Sequence, residues 1–156
     1  MKISVFYGDT KRGIETECGG FEEAEKLIRE CAERPAANIT FNVGKLPNIE
    51  LKINGGFAYI MYDGKIEKRG GKPDGADDED DEFGADNYFN ANFYYPTWVT
   101  RGTHNQPVKF LAGHFKKMCA VEAQRIITLE QAIACVKEFF DGKKRAEGVV
   151  KWERML

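Results

Sequence analysis

Apolar residues recur along this chain with helical spacing in two segments and with strand-like alternation in most of the others. The first helical stripe lies within residues 21–34, where apolar positions fall three or four apart and Pro35 ends the segment. The second helix starts at Thr128, where Thr-Leu-Glu-Gln forms a capping box that pairs Thr128 with Gln131. We expect Gly142 to cap the C-terminus of this helix.

The alternating segments predict antiparallel strands joined by tight turns. The pair Asn54-Gly55 is a strong hairpin signal, and the segment that follows it, residues 57–62, is apolar almost throughout, as in a central strand covered on both faces. The predicted strands cover residues 2–7, 38–43, 48–53, 57–62, 65–68, 88–95, 108–111, 120–127 and 149–153. We therefore expect one α+β domain over residues 1–156, with an antiparallel sheet of about six to eight strands packed against two main helices.

The composition is that of a globular protein. Of the 156 residues, 42% are hydrophobic and 31% are charged, which is enough apolar surface for a packed core. The 23 basic and 25 acidic residues nearly balance, which argues against a dedicated nucleic-acid-binding protein. No apolar run approaches the ~20 residues that span a bilayer, and the N-terminal apolar stretch is too short for a signal peptide. We expect a cytoplasmic protein with neither a nucleic-acid nor a membrane partner.

Residues 70–86 interrupt the strand pattern and are expected to form an acidic, flexible loop. Between residues 74 and 86 there are eight acidic residues and no basic one. Because the whole chain carries −2, the remaining residues together carry +6. Such a loop can meet a basic patch on a protein partner and speed the encounter by long-range attraction. The alternatives are a solvated loop, or one that folds back over the basic stretch of residues 109–125.

An aromatic segment, residues 88–98, is the second candidate for recognition, because tyrosine and tryptophan are favoured at the centres of interfaces. In a strand, Phe89, Phe93 and Tyr95 share one face, which we expect to belong to the core. The opposite face is the better candidate for contact. The predicted partner-binding residues are Asp77, Asp78, Glu79, Asp80, Asp81, Glu82, Tyr88, Asn90, Asn92, Tyr94 and Trp98.

The usual motifs of enzyme and metal chemistry do not occur in the sequence. Ser4 is the sole serine, so a Gly-x-Ser-x-Gly nucleophile elbow cannot form. The four cysteines contain no Cys-x-x-Cys pair, and without a secretion signal we expect no disulfides. The acidic run fails the register of a calcium loop, because the sixth residue from Asp77 is Glu82 and not glycine. We therefore expect no metal or cofactor, although a loose cation site stays open.

One nucleophilic pair is also left open by the sequence. Cys119 could pair with His114 or His104, as cysteine and histidine do in covalent catalysis. No third residue that would orient such a pair is identifiable, so we expect a buried cysteine, two surface histidines and no enzyme activity.

Two stretches resemble a family of bacterial immunity proteins, which are encoded beside polymorphic toxins, often toxins of the nucleic-acid deaminase superfamily. In the first, Leu51-Lys-Ile leads through Asn-Gly-Gly to Phe57-Ala-Tyr-Ile60. In the second, Thr128-Leu-Glu-Gln-Ala opens a helix that ends with Glu-Phe139, Asp-Gly and a basic pair, followed by Val-Val-Lys-Trp152-Glu. The two stretches cover about a third of the chain.

The resemblance implies an α+β domain without catalytic residues that binds a cognate toxin domain tightly and covers its active site or substrate groove. Phe139 and Trp152 look structural in this family pattern, and no contact residue is carried over from it. A toxin that acts on nucleic acid needs a basic groove, which the acidic run is suited to fill. The competing interpretation is a small-molecule or cation-binding α+β domain in which the aromatic segment lines a pocket.

Overall fold

The computed structural model describes residues 1–8, 13–44, 46–65, 67–68, 93–94, 96–112 and 117–155. The acidic run, residues 77–82, lies outside this range, as do Tyr88, Asn90, Asn92 and His114.

The described residues form an α+β fold, as the sequence predicts. They contain one antiparallel eight-stranded sheet, two short two-stranded ribbons and two α-helices. In chain order the elements are β1 (Lys2–Tyr7), β2 (Ile14–Glu17), α1 (Phe21–Cys31), β3 (Ala37–Asn42), β4 (Asn48–Asn54), β5 (Phe57–Asp63), β6 (Glu67–Lys68), β7 (Phe93–Tyr94), β8 (Thr97–Arg101), β9 (Val108–Leu111), β10 (Met118–Val121), a 3-10 helix (Ala123–Arg125), β11 (Ile127–Thr128), α2 (Leu129–Gly142) and β12 (Lys151–Arg154).

The main sheet has the order β12-β8-β5-β4-β3-β1-β2, and β11 also pairs with β5. Its centre is the predicted meander of β3, β4 and β5, in which Leu51 lies opposite both Ile39 and Ile60. The hairpin between β4 and β5 turns at Gly55, whose φ of 62° lies in the left-handed region that glycine adopts without strain. The hairpin that the Asn54-Gly55 pair predicts is therefore confirmed.

One face of the sheet carries the main core and is covered by both helices. Ile28 of α1 and Val136 of α2 are fully buried against strand residues such as Phe41. Burial of each large apolar side chain contributes about 1.5–3 kcal/mol, so this face holds the sheet and helices together. At the surface, Arg29 of α1 pairs both with Glu25 of the same helix and with Glu130 of α2, and each N–O distance is 2.8 Å.

The opposite face is covered in part by the hairpin of β9 and β10. The ring of Phe110 packs edge-on against Tyr59, with centroids 5.0 Å apart. Lys52 is 7% exposed, and its Nζ donates to the carbonyl oxygen of Leu111 at 3.0 Å. The amide of Asn54 donates to the carbonyl of Lys109 at 2.8 Å. These contacts confirm that β5 is a central strand with cover on both faces.

The N-terminus of α2 matches the sequence-based prediction, and its C-terminus differs from it. The amide of Gln131 donates to the Thr128 hydroxyl at 3.1 Å, and the Thr128 amide donates to the Gln131 side chain at 3.0 Å. The predicted C-cap is wrong, because Gly142 is the last helical residue and Lys143 adopts the left-handed conformation, with φ 55°. Lys143 is held there because its carbonyl accepts a hydrogen bond from Tyr62 and its Nζ donates to Phe140.

Three strands depart from the prediction. β2 is absent from the predicted strands, and its four residues are all exposed, so no burial pattern marks it. β8, which is bounded by Pro96 and Gly102, is also absent from the predicted strands. The predicted strand over 120–127 is broken into the end of β10, the 3-10 helix and the start of β11.

Candidate functional site

Trp98 is the predicted contact residue whose side chain the structure places. It lies on β8, directly opposite Tyr62 of β5 and Arg154 of β12, on the face of the sheet that carries the main core. Its side chain is half-buried and packs against that core. Tyr94 falls in the short strand β7, which pairs with β6. The other predicted contact residues lie outside the described range.

Trp98 forms a wall of an open cavity of about 650 Å³, which we call the Trp98 pocket. The pocket lies between the C-terminal end of α2, the loop that follows α2, and the turn at the end of β5. Its lining residues are Tyr62, Gly64, Lys65, Pro96, Trp98, Glu138, Lys144, Arg145, Glu147 and Gly148. The volume is in the range of about 300–1,000 Å³ that is usual for small-molecule sites.

The guanidinium of Arg145 is stacked on the Trp98 ring. Its Cζ lies 3.6 Å from the ring centroid, and one of its nitrogens is 3.0 Å from the Glu147 carboxylate. Arg154 approaches the same ring, with its Cζ at 5.7 Å from the centroid. Contacts of this kind are worth about 0.5–2 kcal/mol, so they fix the orientation of both Trp98 and Arg145.

The backbone around the pocket is fixed by hydrogen bonds between elements. The Trp152 indole N–H donates to the carbonyl of Ala146 at 3.2 Å and anchors the loop that carries Arg145. The amide of Gly64 donates to the carbonyl of Pro96 at 2.8 Å and closes the opposite side. The described lining of the pocket therefore comes from three stretches that are far apart in the sequence, residues 62–65, 96–98 and 138–148.

Two titratable groups at the pocket are affected by burial: Tyr62, which is part of the lining, and the half-buried Asp63 next to it. Burial raises the pKa of Tyr62, and Arg145 lowers it in part, so the phenol stays protonated at neutral pH and donates to the Lys143 carbonyl. Burial also raises the pKa of Asp63, an effect that its hydrogen bond from the Thr97 hydroxyl at 2.9 Å opposes. Both groups act as structural links between β5, β8 and the end of α2.

The thiols do not form the expected pattern. All four cysteines are free; Cys18, Cys31 and Cys135 are buried, whereas Cys119 is exposed. The prediction that Cys119 is buried is thus wrong. Cys119 lies on β10, the outer strand of its hairpin, and belongs to neither of the two hydrophobic clusters that pack on the faces of the main sheet. Burial raises the pKa of Cys31 to about 11 and that of Cys135 to about 12, so these thiols stay protonated and unreactive at neutral pH.

The described part of the chain offers little for metal or nucleophilic chemistry. Its residues contain no group of three or more His, Cys, Asp or Glu side chains placed to hold a metal ion. His104 packs its ring against Phe57, with centroids 4.5 Å apart, at the side of the sheet where α2 begins. The partner suggested for Cys119 at His114 lies outside the described residues.

Neither family models nor curated proteins supply a relative from which to transfer a function. No family model matches this chain, and a search of curated proteins returns no match. Within the described residues, no helix is both long enough and apolar enough to cross a bilayer.

The pocket itself was only partly visible in the sequence. The aromatic segment pointed to Trp98, but Lys65, Lys144 and Arg145 had no motif that marked them as neighbours. The signal that existed was the run Lys143-Lys144-Arg145 after a helix C-terminus, which is also the place where basic residues are favoured by the helix dipole.

Proposed function

We propose that this protein is an immunity protein that binds a cognate bacterial toxin domain and blocks its active site or substrate groove, without chemistry of its own. In this role it would act in the cytoplasm. The proposal rests on the two stretches that resemble the immunity family and on the charge distribution along the chain.

The observation that carries the proposal is that these two stretches form one structural unit. β11 pairs with the start of β5, with Ile127 opposite Ala58, and the amide of Leu129 donates to the carbonyl of Gly56 at 2.9 Å. Residues that are ~70 positions apart in the sequence thus lie in one framework, which supports treating the two stretches as parts of a single resemblance.

Two aromatic residues of the second stretch also meet Tyr62, which lies two residues after the first stretch. Tyr62 packs edge-on against both Phe139 and Trp152, with centroid distances of 6.3 Å and 6.4 Å. Phe139 is 1% exposed. This placement supports the expectation that Phe139 and Trp152 are structural, and it leaves the recognition of a toxin to other surfaces.

We assign the main contact to the acidic run Asp77–Glu82 and to the neighbouring residues Tyr88, Asn90, Asn92 and Tyr94. A toxin domain that grips DNA or RNA presents a basic groove, and a run of carboxylates would be attracted to it over long range. Trp98 is proposed as a support for this surface, because its stacking with Arg145 and Arg154 already occupies much of its ring.

The proposal is tested by co-expression with the C-terminal domain of a toxin encoded beside this gene. Growth rescue is expected. Continued killing, with the protein present in folded form, would remove this chain as the antidote. Where growth is rescued, the two proteins should also copurify as a complex.

The acidic surface is tested separately by matched charge reversals. Changing Asp78, Glu79 and Asp80 to lysine should slow association with the toxin domain and make it less sensitive to salt. The control changes Glu22, Glu30 and Glu33, which are exposed residues on or just after α1, to lysine, because this gives the same change in net charge. Equal effects of the two triple variants would remove the acidic run from the interface.

A second candidate function is supported by the Trp98 pocket. A small-molecule-binding domain would use a cavity of about 650 Å³ with aromatic walls and a few oriented polar groups. A toxin partner would be unnecessary in that case, and the co-expression experiment would give no rescue.

A further inference from the structure

Among the residues that the structure describes, the lining of the Trp98 pocket carries more positive than negative charge. Lys65 and Lys144 are exposed at its rim, and neither ammonium group has an ion-pair partner among the residues that the structure describes. Such a pair of cations facing one cavity is electrostatically unfavourable unless an anion or solvent compensates it.

Arg145 adds a directional donor to these two charges. Its side chain is 21% exposed, and it is held on one face by the Trp98 ring and at one nitrogen by Glu147. A guanidinium stacked in this way keeps its other N–H groups in the plane of the fork, where they can donate to an oxyanion in a bidentate manner. Because the side chain is already ordered, binding costs less rotamer entropy than at a free arginine.

The carboxylates in the lining limit the charge of the ligand. Lys65, Lys144 and Arg145 are opposed by Glu138 and Glu147, so the described part of the lining has three cations, two carboxylates and a net charge of +1. Glu147 is already paired with Arg145, which leaves Glu138 to repel a large polyanion. This balance suits a compact ion better than a nucleic-acid backbone.

We propose that the Trp98 pocket binds a small molecule through an oxyanion, either a phosphate or a carboxylate, with Arg145 as the directional donor and Lys65 and Lys144 as supporting charges. The size of the cavity leaves room for an organic body beside the anion. This inference deepens the second candidate function and does not depend on a toxin partner.

The test follows the two indole N–H signals of the full chain by NMR while inorganic phosphate is added at constant ionic strength. The chain has two tryptophans, so Trp98 reports on the pocket and Trp152, which is hydrogen bonded to Ala146, reports on the adjacent loop. A saturable shift of the Trp98 signal is expected with phosphate and not with chloride. A parallel titration with acetate distinguishes a phosphate site from a carboxylate site, and either response supports the proposal.

Three variants assign the site. Arg145→Lys keeps the charge but loses the fork, and it should weaken the phosphate affinity by about tenfold. Lys144→Ala should weaken it by a smaller factor. Lys109→Ala removes an exposed cation from β9, outside the pocket lining, and should leave the affinity unchanged. Circular dichroism checks that each variant is folded.

Several results would overturn the proposal. These are no saturable shift with either anion, an equal shift with chloride, or an equal loss of affinity in Lys109→Ala. Binding that is seen only after Asp77–Glu82 are neutralised would also overturn it, because the chain's own carboxylates would then be the occupant. None of these results bears on rescue from a toxin, so the two proposals fail independently.

Discussion

Gly102 provides a sharp test of how β8 packs against the segment that precedes α2. A Cβ built at this position would overlap the carbonyl oxygen of Ile126 and would lie 2.9 Å from its carbonyl carbon. Both atoms belong to the backbone, so no side-chain rotation can relieve the overlap. In Gly102→Ala, the end of β8 and the turn at residues 123–126 must therefore move apart.

The cost of this movement follows from the contacts that it disturbs. The Gly102 amide donates to the Gln124 carbonyl at 2.8 Å, and the buried Thr100 hydroxyl donates to the Arg125 carbonyl at 2.9 Å. Overpacking costs about 1–3 kcal/mol, and one weakened hydrogen bond adds about 1 kcal/mol. We expect Gly102→Ala to lose about 2–4 kcal/mol in the free energy of unfolding, or about 4–16 °C in Tm for a domain of this size.

Urea unfolding followed by circular dichroism measures the loss, with Gly148→Ala as the matched control. A Cβ at Gly148 meets no atom within 4 Å, and the position has no positive φ, so its stability should change by less than about 0.5 kcal/mol. If the two variants unfold at the same urea concentration, the argument that Gly102 and the Ile126 backbone are in close contact is refuted.

Three other predictions follow from the same structure. Thr128→Ala should lose about 1 kcal/mol of stability in urea unfolding, because it removes the capping box of α2. In the native protein a thiol reagent at neutral pH should modify Cys119 rapidly, and the other three cysteines should react after unfolding. Burial raises the pKa of Tyr59 to about 12, whereas in the unfolded chain the same phenol ionises near pH 10. The contribution of Tyr59 to the free energy of unfolding is therefore complete below pH ~10 and is lost as the pH rises towards 12. Between pH 8 and pH 11, the free energy of unfolding of Tyr59→Phe should therefore fall by about 1 kcal/mol less than that of wild type.

Each of these predictions has a result that contradicts it. For the cap, Thr16→Ala on the exposed strand β2 is the control, and equal losses would argue against the capping box. For the thiols, rapid native labelling of two or more cysteines would contradict their burial. For Tyr59, identical alkaline unfolding curves of the variant and wild type would contradict its raised pKa.

The sequence predicted the parts of the fold that are specified by local patterns. β3 and β4 were found because their apolar residues alternate, β5 because it is apolar almost throughout, and α2 because its capping box is contiguous in the sequence. Local patterns also explain why β2 was missed, since all four of its residues are exposed and none marks a buried face.

The candidate site depended on contacts that local patterns do not encode. Lys143 takes the left-handed position after α2 because of a hydrogen bond from Tyr62, 81 residues earlier in the chain. The stacking of Arg145 on Trp98 likewise joins a loop after α2 to a strand near the middle of the sequence. Spacing rules cannot anticipate such pairs, so the pocket could be assembled only from the fold.

The central claim is that this protein acts by binding a toxin and carries out no reaction itself. The most direct measurement is a titration of the purified toxin domain with this protein, in which the toxin's own reaction is followed. We predict that toxin activity falls linearly and reaches zero at a fixed molar ratio, as for a tight stoichiometric complex. Full toxin activity in the presence of a large excess of the folded protein would contradict the claim.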